Sequence, residues 1–116
     1  MSAALFSRKQ REQLIANFRA NQQELEETDH HPVVKLFTPD AQATWLFTEF
    51  DPTENLLFGL CDLGIGCPEL GYAFLPELQS LRGRLGLPVE CDRHFTADKL
   101  LSAYAKEARK ASRIIA

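Results

Sequence analysis

The run Ala43 to Phe50, ATWLFTEF, restricts the chain more than any other stretch of it. Successive side chains of an extended strand point to opposite faces. Trp45, Phe47 and Glu49 therefore share one side, and Thr44, Leu46, Thr48 and Phe50 the other. Both sides are largely apolar. A strand of that kind belongs inside a sheet, with a helix layer over at least one of its faces.

The neighbouring segments supply such a sheet. VVKLFT, residues 33–38, precedes a turn marked by the Pro and Asp of TPDAQ, and DPTEN turns the chain into LLFGLCD, residues 56–62. After the loop LGIGCPE a fourth strand, LGYAFL, follows at residues 70–75. Four antiparallel strands in chain order make a meander. Pro76 opens a short helix, PELQSLR, for which Gly83 is the expected stop, and LGLPVECDRHF is extended, with room for a short edge strand from Pro88 to Asp92. Ahead of the sheet, Ser7 and Gln10 form a capping box for a helix from about Arg8 to Glu24, with Leu14, Ile15, Phe18 and Leu25 at helical spacing. Behind it, Thr96 is the expected cap of a last helix at 97–115, Phe95 staples onto Leu100, and Leu100, Tyr104, Ala108, Ala111 and Ile115 form the apolar stripe. The expected architecture is a single α+β domain over residues 1–116, in two layers: a four-stranded antiparallel meander covered by N- and C-terminal helices and one short helix.

A chain of 116 residues with this proportion of apolar side chains builds one core without help from metal or disulfide. Thirteen Lys and Arg against sixteen Asp and Glu leave a net charge of −3, so direct binding of nucleic acid is not expected. No signal sequence or membrane span is read from the chain, and three cysteines are an odd number. A cytoplasmic protein without a cofactor is the expectation.

Several short blocks recur in a known order: Phe37-Thr38-Pro39, Thr44-Trp45, Phe58-Gly59-Leu60, Glu69-Leu70-Gly71-Tyr72, Leu78, Arg82-Gly83, Leu87-Pro88, and Glu90 with Asp92. Together they resemble the family filed as domain of unknown function 2958, small bacterial proteins often carried on plasmids, integrative elements and phages. The resemblance covers Val33 to Phe95 and leaves both terminal helices outside it. Cys91 stands where the family pattern has an arginine, so no role for that arginine carries over. What the resemblance implies is a non-enzymatic partner of a larger host or plasmid protein complex. An inhibitor of host defence, of the anti-CRISPR or antirestriction type, is its narrower form.

Polar clusters provide the candidate sites. QSLRGRLG sets Arg82 and Arg84 around a glycine at the end of a short helix, where an arginine-bearing loop could recognise a carboxylate or phosphate. Glu90 and Asp92 stand beside it. The alternative for Arg82 is to satisfy the C-terminal carbonyls of that helix or to pair with Glu90. Lys106, Arg109 and Lys110 belong to a basic face of the last helix and are the second candidate for an interaction surface. Against these stands a different reading, a small metal-binding module or metal-dependent enzyme. Cys61, Cys67, Cys91 and His94 are zinc-type ligands. Cys91 with His94 also has the composition of an activated thiol, and His30 and His31 sit near Glu27 and Asp29. Glu49, Asp51, Glu69, Glu90 and Asp92 could gather at one sheet end, although charge there also prevents edge pairing. Trp45, Phe47, Tyr72 and Phe74 are read as core.

Overall fold

The structure, a computed structural model, describes residues 4–23 and 27–116. Its elements in chain order are α1 (Arg8–Gln23), β1 (Val34–Phe37), β2 (Thr44–Asp51), β3 (Leu56–Asp62), β4 (Glu69–Phe74), α2 (Leu75–Ser80), β5 (Glu90–Cys91) and α3 (Leu101–Ala111). The fold is α+β. Among the described residues no helix is long and apolar enough to cross a membrane.

The expected meander forms, with β1 to β4 in consecutive antiparallel pairs, but the sheet has five strands rather than four. After β4 the chain crosses to the far side of the sheet, where Glu90 and Cys91 pair with Phe37 and Leu36 and give the order β4-β3-β2-β1-β5.

Helices cover both faces, so the domain has three layers rather than two. On one face Leu14 and Ile15 of α1 and Leu78 of α2 close over Val34, Leu36, Trp45, Phe47, Phe50 and Leu57. On the other, Leu101, Tyr104, Ala105 and Ala108 of α3 close over Leu46 and Leu60. Alternation along β2 predicts this division for Trp45, Leu46 and Phe47 but puts Phe50 on the wrong side. The pairing of β2 with β3 slips between Phe47 and Glu49, where Phe47 faces Gly59 and Glu49 faces Phe58. One extra residue in β2 makes a bulge, and beyond a bulge the sense of in and out reverses. Phe50 consequently joins Trp45 and Phe47, packs on Phe6 with ring centroids 6.1 Å apart and lies under the Arg11 guanidinium.

The start of α1 is as expected. Ser7 Oγ accepts from Gln10 N at 3.1 Å and Gln10 Oε1 accepts from Ser7 N at 2.8 Å, the two halves of a capping box. Leu25, and the expected end of this helix at Glu24, lie outside the described residues. The start of α3 differs from expectation. Thr96 does not cap it, and Leu100 occupies the N-cap position without a side-chain bond. The free N–H groups of the first turn are met by a distant segment instead. The His30 carbonyl accepts from Leu101 N at 2.9 Å, and the Asp29 carboxylate accepts from Ser102 N at 3.2 Å and from Ser102 Oγ. The later start changes the buried stripe to Leu101, Tyr104, Ala105 and Ala108, leaving Leu100 and Ile115 exposed. Phe95 packs on the Tyr104 ring, at 6.3 Å between centroids, instead of stapling Leu100. α2 also ends before Gly83, at Ser80, because Leu81 turns extended.

Gly59 is where the bulge makes a demand on the sequence. A Cβ there would run into the carbonyl oxygen of Leu46, and the obstruction is backbone in a central strand. Gly59→Ala should therefore destabilise the fold by about 2–3 kcal/mol as overpacking without room to relax. Gly71→Ala, in β4 where a Cβ meets nothing within 4 Å, should stay within about 0.5 kcal/mol of the parent. Urea unfolding midpoints of the two variants measure the difference.

Candidate interaction surface

The segment after α2 is an ordered loop. Arg82 turns back on the helix end, its Nη1 donating to the carbonyls of Gln79 at 3.2 Å and Leu81 at 2.8 Å. That guanidinium is occupied in satisfying main-chain acceptors. Gly83 N donates to Leu87 O at 2.9 Å and Gly86 N to Gly83 O at 3.0 Å, with Gly86 at a φ of 80° that suits glycine. Arg82 and Pro88 close the base of the loop as an isolated antiparallel bridge.

Asp40, from the turn between β1 and β2, fixes this loop from outside. Its Oδ2 accepts from Leu85 N at 2.6 Å and from Leu87 N at 3.2 Å, and Gly83 sits so close to the carboxylate that a Cβ would overlap it. Its other oxygen, Oδ1, is buried without a hydrogen-bond partner among the described residues. The backbone is thus tied down while Leu85 stands 81% exposed, flanked by exposed Arg84 and Leu87. Ordering a loop costs conformational entropy that is normally recovered by burying its side chains. Here the apolar side chain is held in water.

The other candidate residues divide into engaged and free groups. Asp92 is engaged: Lys35 Nζ lies 3.6 Å from its carboxylate, and it accepts from His94 N at 2.9 Å. Glu90 is exposed on β5. On α3, Lys106, Arg109 and Lys110 are exposed and form no ion pair among the described residues, with Arg109 and Lys110 in the last turn, where cations suit the helix dipole. Lys99 is occupied, 3.0 Å from Glu107 and stacked over the Tyr104 ring.

The metal-type ligands are not brought together. Cys91, Leu36, Trp45 and Cys61 are successive cross-strand neighbours on the face that α1 covers. The two thiols are three strand spacings apart, about 14 Å. Cys67 and His94 lie exposed in separate loops. Among the described residues no group of three or more His, Cys, Asp and Glu could hold a metal ion. Nor is Cys91 an activated thiol. Burial, and then the neighbouring Asp92, pushes its pKa up against the smaller opposing effects of Arg93 and Gln10. Activation requires the opposite direction. His30 is held below the usual imidazole range by burial, against the pull of Asp29, and His31 is exposed.

The carboxylates are dispersed as well. Asp51 closes the β2–β3 turn by accepting from Thr53 N and Glu54 N, at the end of the sheet opposite to Glu69 and Glu90. Those two lie on opposite edge strands. Glu49, half buried, has its pKa raised chiefly by that burial. Trp45 and Phe47 are core, but Tyr72 and Phe74 are exposed, at 70% and 41%.

The sequence reading missed Asp40 and Asp62. Asp62 is buried on the wall of a groove of about 400 Å³ that Gln42, Thr44 and Arg113 also line. Its Oδ1 accepts from Gly64 N and its Oδ2 from Ile114 N, both at 2.9 Å. It ties the end of the chain to the β3–β4 loop. Locally Asp40 reads only as a turn residue and Asp62 only as the end of β3, and nothing in the sequence points to the partners 45, 47 and 52 residues away.

Burial pushes the Cys61 thiol up to about 11 from 9.0. A raised folded value leaves its contribution to stability intact below about pH 9 and removes it as pH rises to about 11, because the unfolded chain ionises first. The stability difference between the parent and Cys61→Ala should shrink across that window. At pH 8 iodoacetamide should modify Cys67 rapidly, and Cys61 and Cys91 only after denaturant is added, as mass spectrometry of the alkylated peptides will show.

Comparison with curated proteins and with solved structures gives no match. Comparison with protein families gives one, the family described as "Protein of unknown function (DUF2958)", over residues 5–115, so that the match takes in both terminal helices as well as the sheet. The chain belongs to the DUF2958 family.

Proposed function

We propose that this chain is a non-enzymatic protein-interaction domain that docks through the loop 81–88, with Leu85 as the apolar anchor and Arg84 as its charged neighbour. The observation that carries this reading is the pair of bonds from Asp40 to Leu85 N and Leu87 N, which hold an exposed leucine in one place. A loop already ordered loses little further entropy on binding, and an apolar side chain fixed in water gains its full burial on contact. The cationic face of Lys106, Arg109 and Lys110 adds attraction to an acidic partner surface. In its narrower form the proposal is an inhibitor borne by a mobile element, with a host defence complex of anti-CRISPR or antirestriction relevance as the target. The family resemblance is its motivation.

Capture of partners from a bacterial host lysate by the purified protein tests the reading. Leu85→Asp should reduce recovery of a specific partner at least about tenfold, as for the central residue of an interface. Its fold should be unchanged, because Leu85 packs on little. Asp40→Ala should weaken the same interaction by releasing the loop, and should lower stability by about 1–2 kcal/mol through the main-chain donors it leaves without an acceptor. A partner that binds the parent and Leu85→Asp equally would overturn this docking surface.

A separate measurement addresses the cationic face. Replacing Lys106, Arg109 and Lys110 together by Gln preserves helix propensity. Affinity for the captured partner should fall and lose part of its salt dependence. Unchanged affinity and salt slope would make the face only a solvated helix surface.

A further inference from the structure

The two edges of the sheet differ. At one edge β5 is two residues long, follows Pro88 closely, begins with Glu90 and is followed by Asp92, features that discourage another strand from adding there. At the other edge β4 has six residues, ELGYAF, with Glu69 as its one charge and no proline. Leu70, Tyr72 and Phe74 share the face covered elsewhere by α3, yet are themselves 41%, 70% and 41% exposed. Tyr72 already rests on Phe58, with centroids 5.1 Å apart, which fixes its ring beside the open edge.

The hydrogen-bond pattern determines what this edge can accept. Leu75 N donates to Asn55 O at 2.9 Å, one step beyond the Leu56–Phe74 pair. Bonded and non-bonded pairs alternate along an antiparallel ladder. Glu69, Gly71 and Ala73 therefore direct their main-chain groups at β3. Leu70 and Tyr72 direct theirs outward, as Phe74 does its N–H, whereas the Phe74 carbonyl, at the N-cap of α2, accepts within that helix. Leu70, Tyr72 and Phe74 are also the residues with exposed apolar side chains.

We infer that β4 pairs antiparallel with β4 of a second copy of this chain, about a two-fold axis at Tyr72, joining two five-stranded sheets into one. A two-fold at that residue sets Tyr72 opposite its own counterpart and Leu70 opposite Phe74. Each Tyr72 N–H then donates to the other copy's Tyr72 carbonyl and each Phe74 N–H to the other copy's Leu70 carbonyl, about four main-chain bonds in all. The same axis keeps the three side chains of each copy on one face, forming a continuous apolar strip, and holds the two Glu69 carboxylates about 20 Å apart. Such an interface is self-complementary, as a closed dimer requires. It is smaller than the roughly 800 Å² per partner of a standard interface. The dimer is consequently in exchange with monomer and depends on concentration.

Sedimentation of the purified protein from micromolar to millimolar concentration should show the 13.1 kDa mass rise to twice that value. Tyr72→Lys puts two ammonium groups face to face on the axis while altering an exposed side chain, so it should remain folded by circular dichroism and monomeric throughout. Hydrogen exchange supplies a second measurement. The amides of Tyr72 and Phe74 should be protected in the concentrated parent and exposed in dilute parent or in Tyr72→Lys, with Gly71 and Ala73 protected in all three. A parent that stays monomeric overturns the inference. So does a dimer that survives Tyr72→Lys or leaves those two amides unprotected. The inference stands apart from docking through the loop 81–88, since purified protein alone tests it.

Discussion

Burial on both sides of β2 and β3 is the constraint on which the domain depends. Trp45, Phe47 and Leu57 must be covered from one side and Leu46 and Leu60 from the other, and none of the five is more than marginally exposed. Strands of a meander cannot cover their own faces, so the cover comes from the two ends of the chain. α1 precedes the sheet and takes one face; α3 follows it and takes the other. A family match that extends through both helices agrees with this division of labour, since neither helix is dispensable to a sheet that is apolar on both faces.

With the layers set, three aspartates join segments that are remote in sequence. Asp29 caps α3 across 73 residues, Asp40 secures the loop 83–87 across 45 and 47, and Asp62 anchors Ile114 across 52. Each accepts from backbone N–H, the donor that costs most to leave unpaired when secondary structure ends. In each case a loop or helix end is positioned by a charged side chain rather than by packing. The candidate surface follows from this arrangement: because Asp40 fixes the backbone of its loop, Leu85 need not be buried to be ordered.

What could be read in the sequence was whatever depends on near neighbours. The capping box of Ser7 and Gln10 needs only a spacing of three, and the hairpins from β1 to β4 need only turns and alternation. Two kinds of feature were hidden. One was the bulge at Thr48, since a single inserted residue reverses every later side chain and leaves no compositional mark; Phe50 was misplaced for that reason. The other was any bond between distant segments. Thr96 looked like a cap because it stood at the right place locally, whereas Asp29 does the capping. For Arg82 the sequence left binding and satisfaction of the helix-end carbonyls both open, and the course of the chain after α2 realises the second while leaving Arg84 exposed. Tyr72 and Phe74 were assigned to the core from their type, an inference that does not hold on an edge strand.

The attachment of α3 has a consequence for motion. Its first turn is held by Asp29 and the His30 carbonyl, and the segment beyond its last turn by Asp62 and by Lys35, whose Nζ donates to Ala116 O at 2.8 Å. Between these ties the helix contributes a narrow, alanine-rich stripe, with Leu101 and Tyr104 as its large side chains. A helix clamped at both ends and lightly glued in the middle does not fray progressively. Fraying from either end must first break one of these clamps, so Leu46 and Leu60 are uncovered only by opening of the fastening itself, an event that leaves the face under α1 untouched.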